Sequence, residues 1–270
     1  MMRIKLFKYK ANKFDMELDK IHYDEVAKLQ ANLSDEELKV QVATNGIQKF
    51  QRVVFDHYYE CIRKNINSNM DVLELGAGMG RHSGVILDTG ANLTVNDISA
   101  SSLKVLKRIY PDIKIMIVSS MDQVPIAAKS FDVIVSCGSL SYADPNILDK
   151  EIFRLLRNGG SLIILDSLNH NPFYKFNRVF KSFIKRRSKS SVKRIPDLGR
   201  IDRLSRHFNN SDIKFFGTYF WIIRILDFVI GQDLANKTNM MLEKYFPSGK
   251  NAFKFVLVCN GFTGDQETTR

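Results

Sequence analysis

The 270-residue sequence has only three cysteines, Cys61, Cys137 and Cys259, set far apart and without a Cys-x-x-Cys pair. That scarcity excludes a disulfide framework and a common zinc knuckle and suits a reducing compartment, and no metal site is expected. Long apolar runs are also missing. The one tempting stretch, Phe215 to Ile230, covers about 16 residues and is interrupted by Arg224 and Asp227, too short and too charged to span a bilayer. It reads as a buried or substrate-lining helix, with an amphipathic membrane-surface helix as the alternative. The N-terminal residues Met1 to Lys10 are basic, but no apolar segment follows them, so no secretory signal is expected. The chain reads as cytoplasmic, with peripheral contact at the inner face of a membrane as a variant. No internal repeat is visible.

What is present is ordinary globular composition. Hydrophobic residues at 44% and charged residues at 26% exclude a largely disordered chain, and the length suits one large α/β domain, or one such domain with an appended smaller lobe. The net charge of +11 is unevenly placed. Between Lys175 and Arg206 stand twelve Lys/Arg and two acids, Asp197 and Asp202, so nearly all of the excess lies in one block. A concentrated block points to an anionic partner, with solvated charge as the bland alternative.

Residues 1–68 read as helical, a lid preceding the main domain. Ser34 to Glu37 forms a Ser-x-x-Glu capping box, and Ile47, Phe50, Val54, Tyr58 and Ile62 carry helical spacing over about Gly46 to Asn65. From residue 69 to 263 short apolar runs alternate with helical segments. Strands are expected at Asp71–Leu75, Asn92–Asn96, Lys114–Val118, Phe131–Ser136, Ser161–Asp166, Ile213–Gly217 and Phe253–Cys259. Helices are expected at Arg81–Thr89, Ser99–Tyr110, Asp149–Leu156 and Leu198–Phe208, with a turn at Asn158-Gly159-Gly160. This is the pattern of an α/β fold: a Rossmann-like, seven-stranded, mostly parallel sheet with helices on both faces. Helical insertions are expected after strand five (168–198) and strand six (220–248), and residues 264–270 read as a flexible tail.

One motif carries chemistry. Glu74-Leu75-Gly76-Ala77-Gly78-Met79-Gly80 lies between a strand and a helix, where glycines permit a tight turn and let a ligand approach free helix N–H groups. A dinucleotide fingerprint would need glycine at position 81, which is Arg81, and no Walker lysine follows. Asp97 closes the second strand, where a carboxylate can accept both hydroxyls of a ribose; capping the helix from Ser99 onward is its other reading.

These residues resemble class I S-adenosylmethionine-dependent methyltransferases, over roughly residues 70–166. The resemblance implies S-adenosylmethionine as cofactor. Glu74 would order its methionine end, and Gly76, Ala77, Gly78 and Gly80 would line it. Asp97 would hold the ribose hydroxyls and Ile98 would pack on the adenine. Ser120-Met121-Asp122 resembles the adenine-binding segment, with Asp122 facing the exocyclic amine. Phe131 to Leu140 resembles the fourth motif, whose Ser136, Cys137 and Gly138 would run under the sulfonium. Arg81 reads as a partner of the cofactor carboxylate or as a solvated helix residue; His82 reads as a site residue or as a helix-surface histidine.

The acceptor is less defined. No Asn/Asp-Pro-Pro-Tyr/Phe follows strand four and no Pro-Cys pair is present, which disfavours methylation of adenine or glutamine amino groups and of cytosine. An oxygen nucleophile needs a base. His170, just past strand five, is the first candidate, with Asp166 as its possible orienting partner; Tyr142 or Asp144, after strand four, is the second. Arg178, Lys181, Arg186, Arg187 and Arg194 can bind phosphates or carboxylates. The segment Asn169 to Arg178 resembles a subgroup of methyltransferases in bacterial surface-polysaccharide synthesis. The expectation is O-methylation of a small anionic or glycan acceptor. A lipid or quinone methyltransferase at the membrane surface, an RNA methyltransferase and a non-catalytic scaffold are the alternatives.

Overall fold

The computed structural model describes residues 17–30, 32–44, 51–172, 174 and 189–264. Helix α1 (residues 17–30) is followed by α2 (Asp35–Thr44) and α3 (Arg52–Asn65). The capping box forms at the start of α2: Glu37 N–H donates to Ser34 Oγ at 3.3 Å, and Ser34 N–H donates to Glu37 Oε2 at 3.0 Å. Helix α3 buries Val54, Phe55, Tyr58 and Ile62 along one stripe; the expected start at Gly46 falls outside the described residues.

The seven strands are β1 (Asp71–Leu75), β2 (Asn92–Asp97), β3 (Ile115–Val118), β4 (Phe131–Cys137), β5 (Leu156–Ser167), β6 (Phe208–Phe216) and β7 (Lys254–Phe262). Their order is β3-β2-β1-β4-β5-β7-β6, with β7 antiparallel to both neighbours and every other pairing parallel. The fold is the expected Rossmann-like α/β sheet. Its residues alternate between two cores. Val72, Val133, Val135, Ile163, Leu165, Val256 and Val258 face the side packed by α3. Leu73, Leu75, Ile134, Leu162, Ile164, Phe255 and Leu257 face the opposite side. Apolar side chains on both faces require helices on both faces.

Those helices are α4 (Ser83–Leu87), α5 (Ala100–Ile109), α6 (Pro145–Leu155), α7 (Lys189–Lys193), α8 (Leu198–Ser205), α9 (Phe220–Ile230) and α10 (Gln232–Tyr245). Ser99 caps α5 by accepting from Ser102 N–H, and Asp144 caps α6 with Pro145 in its first turn. The expected turn at Asn158 to Gly160 lies inside β5 instead. Leu156 pairs with Phe131, the register shifts, and Ser161 pairs with Val133. Gly159 has φ +80° and a Cβ on Gly160 would stand 2.8 Å from Arg157 O, so the glycines form a bulge where a reverse turn was expected.

The insertion after β6 is a helical hairpin, α9 and α10, broken at Gly231 with φ +80°. Much of the insertion after β5, the stretch 175–188, and the tail 265–270 lie outside the described residues. Among the described residues no helix is long and apolar enough to cross a membrane.

Candidate active site

The carboxyl ends of β1, β2 and β4 meet at a cleft, the position where parallel sheets receive ligands. Its floor begins with the glycine turn. Gly76, Gly78 and Gly80 have φ of +68°, +56° and +87°, conformations that side chains with a Cβ rarely adopt. Their surroundings differ. A Cβ on Gly76 would stand 2.5 Å from Ser139 Cβ, so the turn is pressed against the loop after β4. A Cβ on Gly78 would meet nothing within 4 Å, leaving that backbone open to a ligand. Gly80 packs against Leu106 and Tyr110 and does not line the cleft.

Asp97 lines the cleft and does two things at once. Its Oδ2 accepts from Gly78 N–H and its Oδ1 from Ser99 N–H, each at 2.8 Å. The carboxylate is thus locked between the glycine turn and the start of α5, and each oxygen retains a second lone pair. Burial raises its pKa, while the backbone N–H bonds pull it back. Glu74 is buried below the cleft, outside its lining, and its Oε2 accepts from Ser83 Oγ at 2.5 Å. Burial, with Asp97 adding repulsion, pushes its pKa up to about 7.

Ala77, Ile98, Met121, Cys137 and Gly138 also line the cleft. Asp122 does not; it accepts from the Ser120 hydroxyl. Ser136 is buried beneath, sharing a 2.6 Å hydrogen bond with Ser139 Oγ, which in turn donates to Leu75 O. Burial pushes the Cys137 thiol up to about 12, so it stays protonated.

Arg81 lines the cleft and donates from Nε to Val42 O at 3.0 Å, tying the N-terminal helices to the glycine turn. His82 is buried rather than on a helix surface. It stacks on Phe55 with centroids 5.7 Å apart, and its Nδ1 is 2.9 Å from the Tyr59 hydroxyl. Burial, with Arg81 and Lys254 adding to it, lowers its pKa to about 3, so the ring is neutral.

Of the three candidate catalytic residues, Tyr142 lines the cleft, with its hydroxyl 2.6 Å from that of Tyr23. Asp144 is the cap of α6, accepting from Asn146 N–H at 3.0 Å, and does not line the cleft. His170 is exposed and is not among the lining residues. Asp166 is buried and accepts from Leu140 N–H and Ser167 N–H. Arg194 is half-buried and away from the cleft lining, whereas Arg178, Lys181, Arg186 and Arg187 lie outside the described residues.

Sequence reasoning missed Asp19, Tyr23 and Val42, which wall the cleft from α1 and α2. It also missed Asn96, whose buried Oδ1 has no hydrogen-bond partner among the described residues. No local motif marks these positions. Only the helical character of residues 17–44 hinted that something covered the glycine turn.

S-adenosylmethionine fits this cleft. The fixed Asp97 carboxylate suits a ribose diol, Ile98 and Met121 suit an adenine, and the open backbone at Gly78 admits a polar chain. Residues 73–164 match the methyltransferase-domain family. A demethylmenaquinone methyltransferase of Renibacterium salmoninarum is 32% identical over 43% of this chain and 48% of its own length. A sterol 4-C-methyltransferase, strm-1, of Caenorhabditis elegans is 27% identical over 45% of this chain and 38% of its own length. The chain thus spans about half the length, or less, of these relatives. In fold, the chain is similar to geranyl diphosphate C-methyltransferase from Streptomyces coelicolor A3(2), solved with Mg2+, geranyl diphosphate and S-adenosyl-L-homocysteine. The TM-score is 0.54 at 14% identity, covering 88% of this chain and 98% of that one.

Proposed function

We propose that this chain, which carries a class I S-adenosylmethionine-dependent methyltransferase domain over residues 73–164, transfers the methyl group of S-adenosylmethionine to a small-molecule acceptor. The observation that supports this most directly is Asp97, held by the Gly78 and Ser99 N–H groups inside the cleft. A carboxylate oriented in advance binds a ribose diol without reorganising, and in-line transfer depends on such positioning. When bound, the sulfonium supplies a methyl group activated towards a nucleophile. The chain itself positions and encloses. Ile98 and Met121 would hold the adenine, Gly76 to Gly78 the methionine portion, and Arg81 its carboxylate. Glu74 supports the turn from below through Ser83. Tyr142 and the neutral His82 are the hydrogen-bonding groups for an acceptor hydroxyl, and helices α1 and α2 exclude water as a lid.

The acceptor class we favour is an oxygen on a small anionic or glycan-type molecule. The cationic groups Arg81 and Lys254 both bear on His82, and the rings of Tyr23 and Tyr142, which line the cleft, offer faces to a sugar. A lipid or quinone acceptor is the second reading. It is favoured by the apolar hairpin after β6 and by the quinone and sterol relatives.

Calorimetry with S-adenosylhomocysteine tests the first half. Micromolar binding is expected for the wild type, with a loss of about 1–3 kcal/mol in Asp97→Asn, which keeps the side-chain shape. A folded wild-type chain that does not bind would sink the reading. Transfer of labelled methyl to acidic sugars, nucleotide sugars, quinones and phospholipids then assigns the acceptor. Label on quinone or lipid alone would replace the glycan class.

A further inference from the structure

The helical hairpin after β6 exposes more apolar surface than packing requires. At its base it is part of the core: Phe220 is 4% exposed and Ile223 is fully buried, both in the core on the α3 face of the sheet. Towards the end of α9 the exposure rises, to 92% at Phe228 and 70% at Val229. Beyond the Gly231 break, Leu234 and Met241 of α10 are exposed as well. An apolar tip on two helices that project from a buried root is a wedge. Contiguous exposed apolar surface on a folded domain marks an interaction site.

We propose that this tip inserts into the interfacial region of an anionic lipid bilayer. Three observations select that occupant. The exposed apolar residues are flanked by large amphipathic rings, Trp221 on α9 and Tyr245 at the end of α10, the residue types that settle at the headgroup level. The hairpin alone is balanced in charge, with Arg224, Lys237 and Lys244 against Asp227, Asp233 and Glu243. The strong charge lies in the Lys175 to Arg206 block. That block begins one residue beyond Tyr174, whose hydroxyl donates to Gly217 O at 2.7 Å, beside the root of α9. An apolar wedge and a polybasic stretch that follows Tyr174 in the sequence are the two signals that together give stable, reversible attachment to an anionic surface. The wedge also joins the site through ring contacts. Phe220 is 6.0 Å from Phe253, Lys254 lies over Phe253 and Phe55, and Phe55 stacks on His82. Attachment would therefore bring the acceptor end of the cleft near the lipid surface.

The docking does not depend on the methyltransferase reading, and its test needs no cofactor. The 270-residue chain is floated with phosphatidylcholine vesicles, with and without phosphatidylglycerol, and compared with Phe228→Ser/Val229→Ser. Both positions are exposed, so the variant keeps its core. The bound fraction on anionic vesicles is expected to fall about ten-fold in the variant, and in the wild type on removing phosphatidylglycerol. Equal binding by variant and wild type would overturn the proposal. So would a dimer in sedimentation that the two substitutions dissociate, because the tip would then cover a second copy of the chain. Retained S-adenosylhomocysteine binding in the variant separates this outcome from failure of the transfer reading.

Discussion

At the scale of single residues, the site is built from buried groups whose ionisation is displaced in opposite directions. Glu74 has its pKa raised from an ordinary 4.5 to about 7, chiefly by burial. A raised carboxyl contributes its full stability below pH 4.5 and loses it as pH rises through 7. His82, lowered from 6.5 to about 3, has the opposite sign: its contribution is complete above pH 6.5 and is lost as pH falls towards 3. Between 4.5 and 6.5 the two slopes oppose each other, so their combined effect on stability is muted. Glu74→Gln keeps an oxygen for Ser83 and removes the carboxyl's titration. Relative to wild type, the variant should gain stability as pH rises from 5 to 8, by at most about 3 kcal/mol. Urea unfolding at several pH values measures this difference directly. A pH-independent difference would mean that Glu74 titrates normally and is not the strained support of the glycine turn.

At the scale of elements, the N-terminal helices are bound to the cleft rather than merely packed nearby. The Tyr23 and Tyr142 hydroxyls are 2.6 Å apart, Ser99 Oγ donates to Asp24 Oδ1 at 2.6 Å, and Arg81 reaches Val42 O. Each such bond is worth about 0.5–1.5 kcal/mol net. Tyr23→Phe combined with Asp24→Asn should therefore speed release of S-adenosylhomocysteine about ten-fold in a stopped-flow displacement experiment. Unchanged release would show that α1 is a fixed wall and not a closing element. This contribution was hardly legible in the sequence, because a side chain reaching from residue 23 to residue 142 leaves no local pattern. The strands were legible, since a parallel sheet covered on both faces writes itself as short apolar runs. Asp97 was legible in place: its bond from Ser99 N–H is the start-of-helix reading, and its remaining lone pairs are compatible with the ribose role proposed above. The Asn158 to Gly160 segment was misread because a glycine bulge and a reverse turn use the same residues.

At the scale of the whole molecule, charge and chemistry are separated along the chain. The cleft is assembled from residues 19–142, whereas nearly all of the net charge of +11 follows residue 174. The cofactor half of the site was therefore readable from a motif. The acceptor half was not, because a basic block accepts phosphates, carboxylates and polyanions alike. His170 illustrates the difficulty: it stands at the right end of the right strand, yet it is exposed and away from the cleft lining. Separation of this kind makes a prediction about nucleic acid. Exposed charges are screened within about 8 Å at physiological salt, and polyanion binding falls steeply with salt through counterion release. Binding of an arbitrary RNA at low salt should disappear at moderate salt. Affinity for S-adenosylhomocysteine, which the proposed function assigns to Asp97 and enclosed contacts, should stay within about two-fold over the same range. Fluorescence anisotropy and calorimetry in parallel measure the two. RNA binding that survives moderate salt and prefers one sequence would require base recognition that charge alone cannot provide, and would move RNA into the acceptor class.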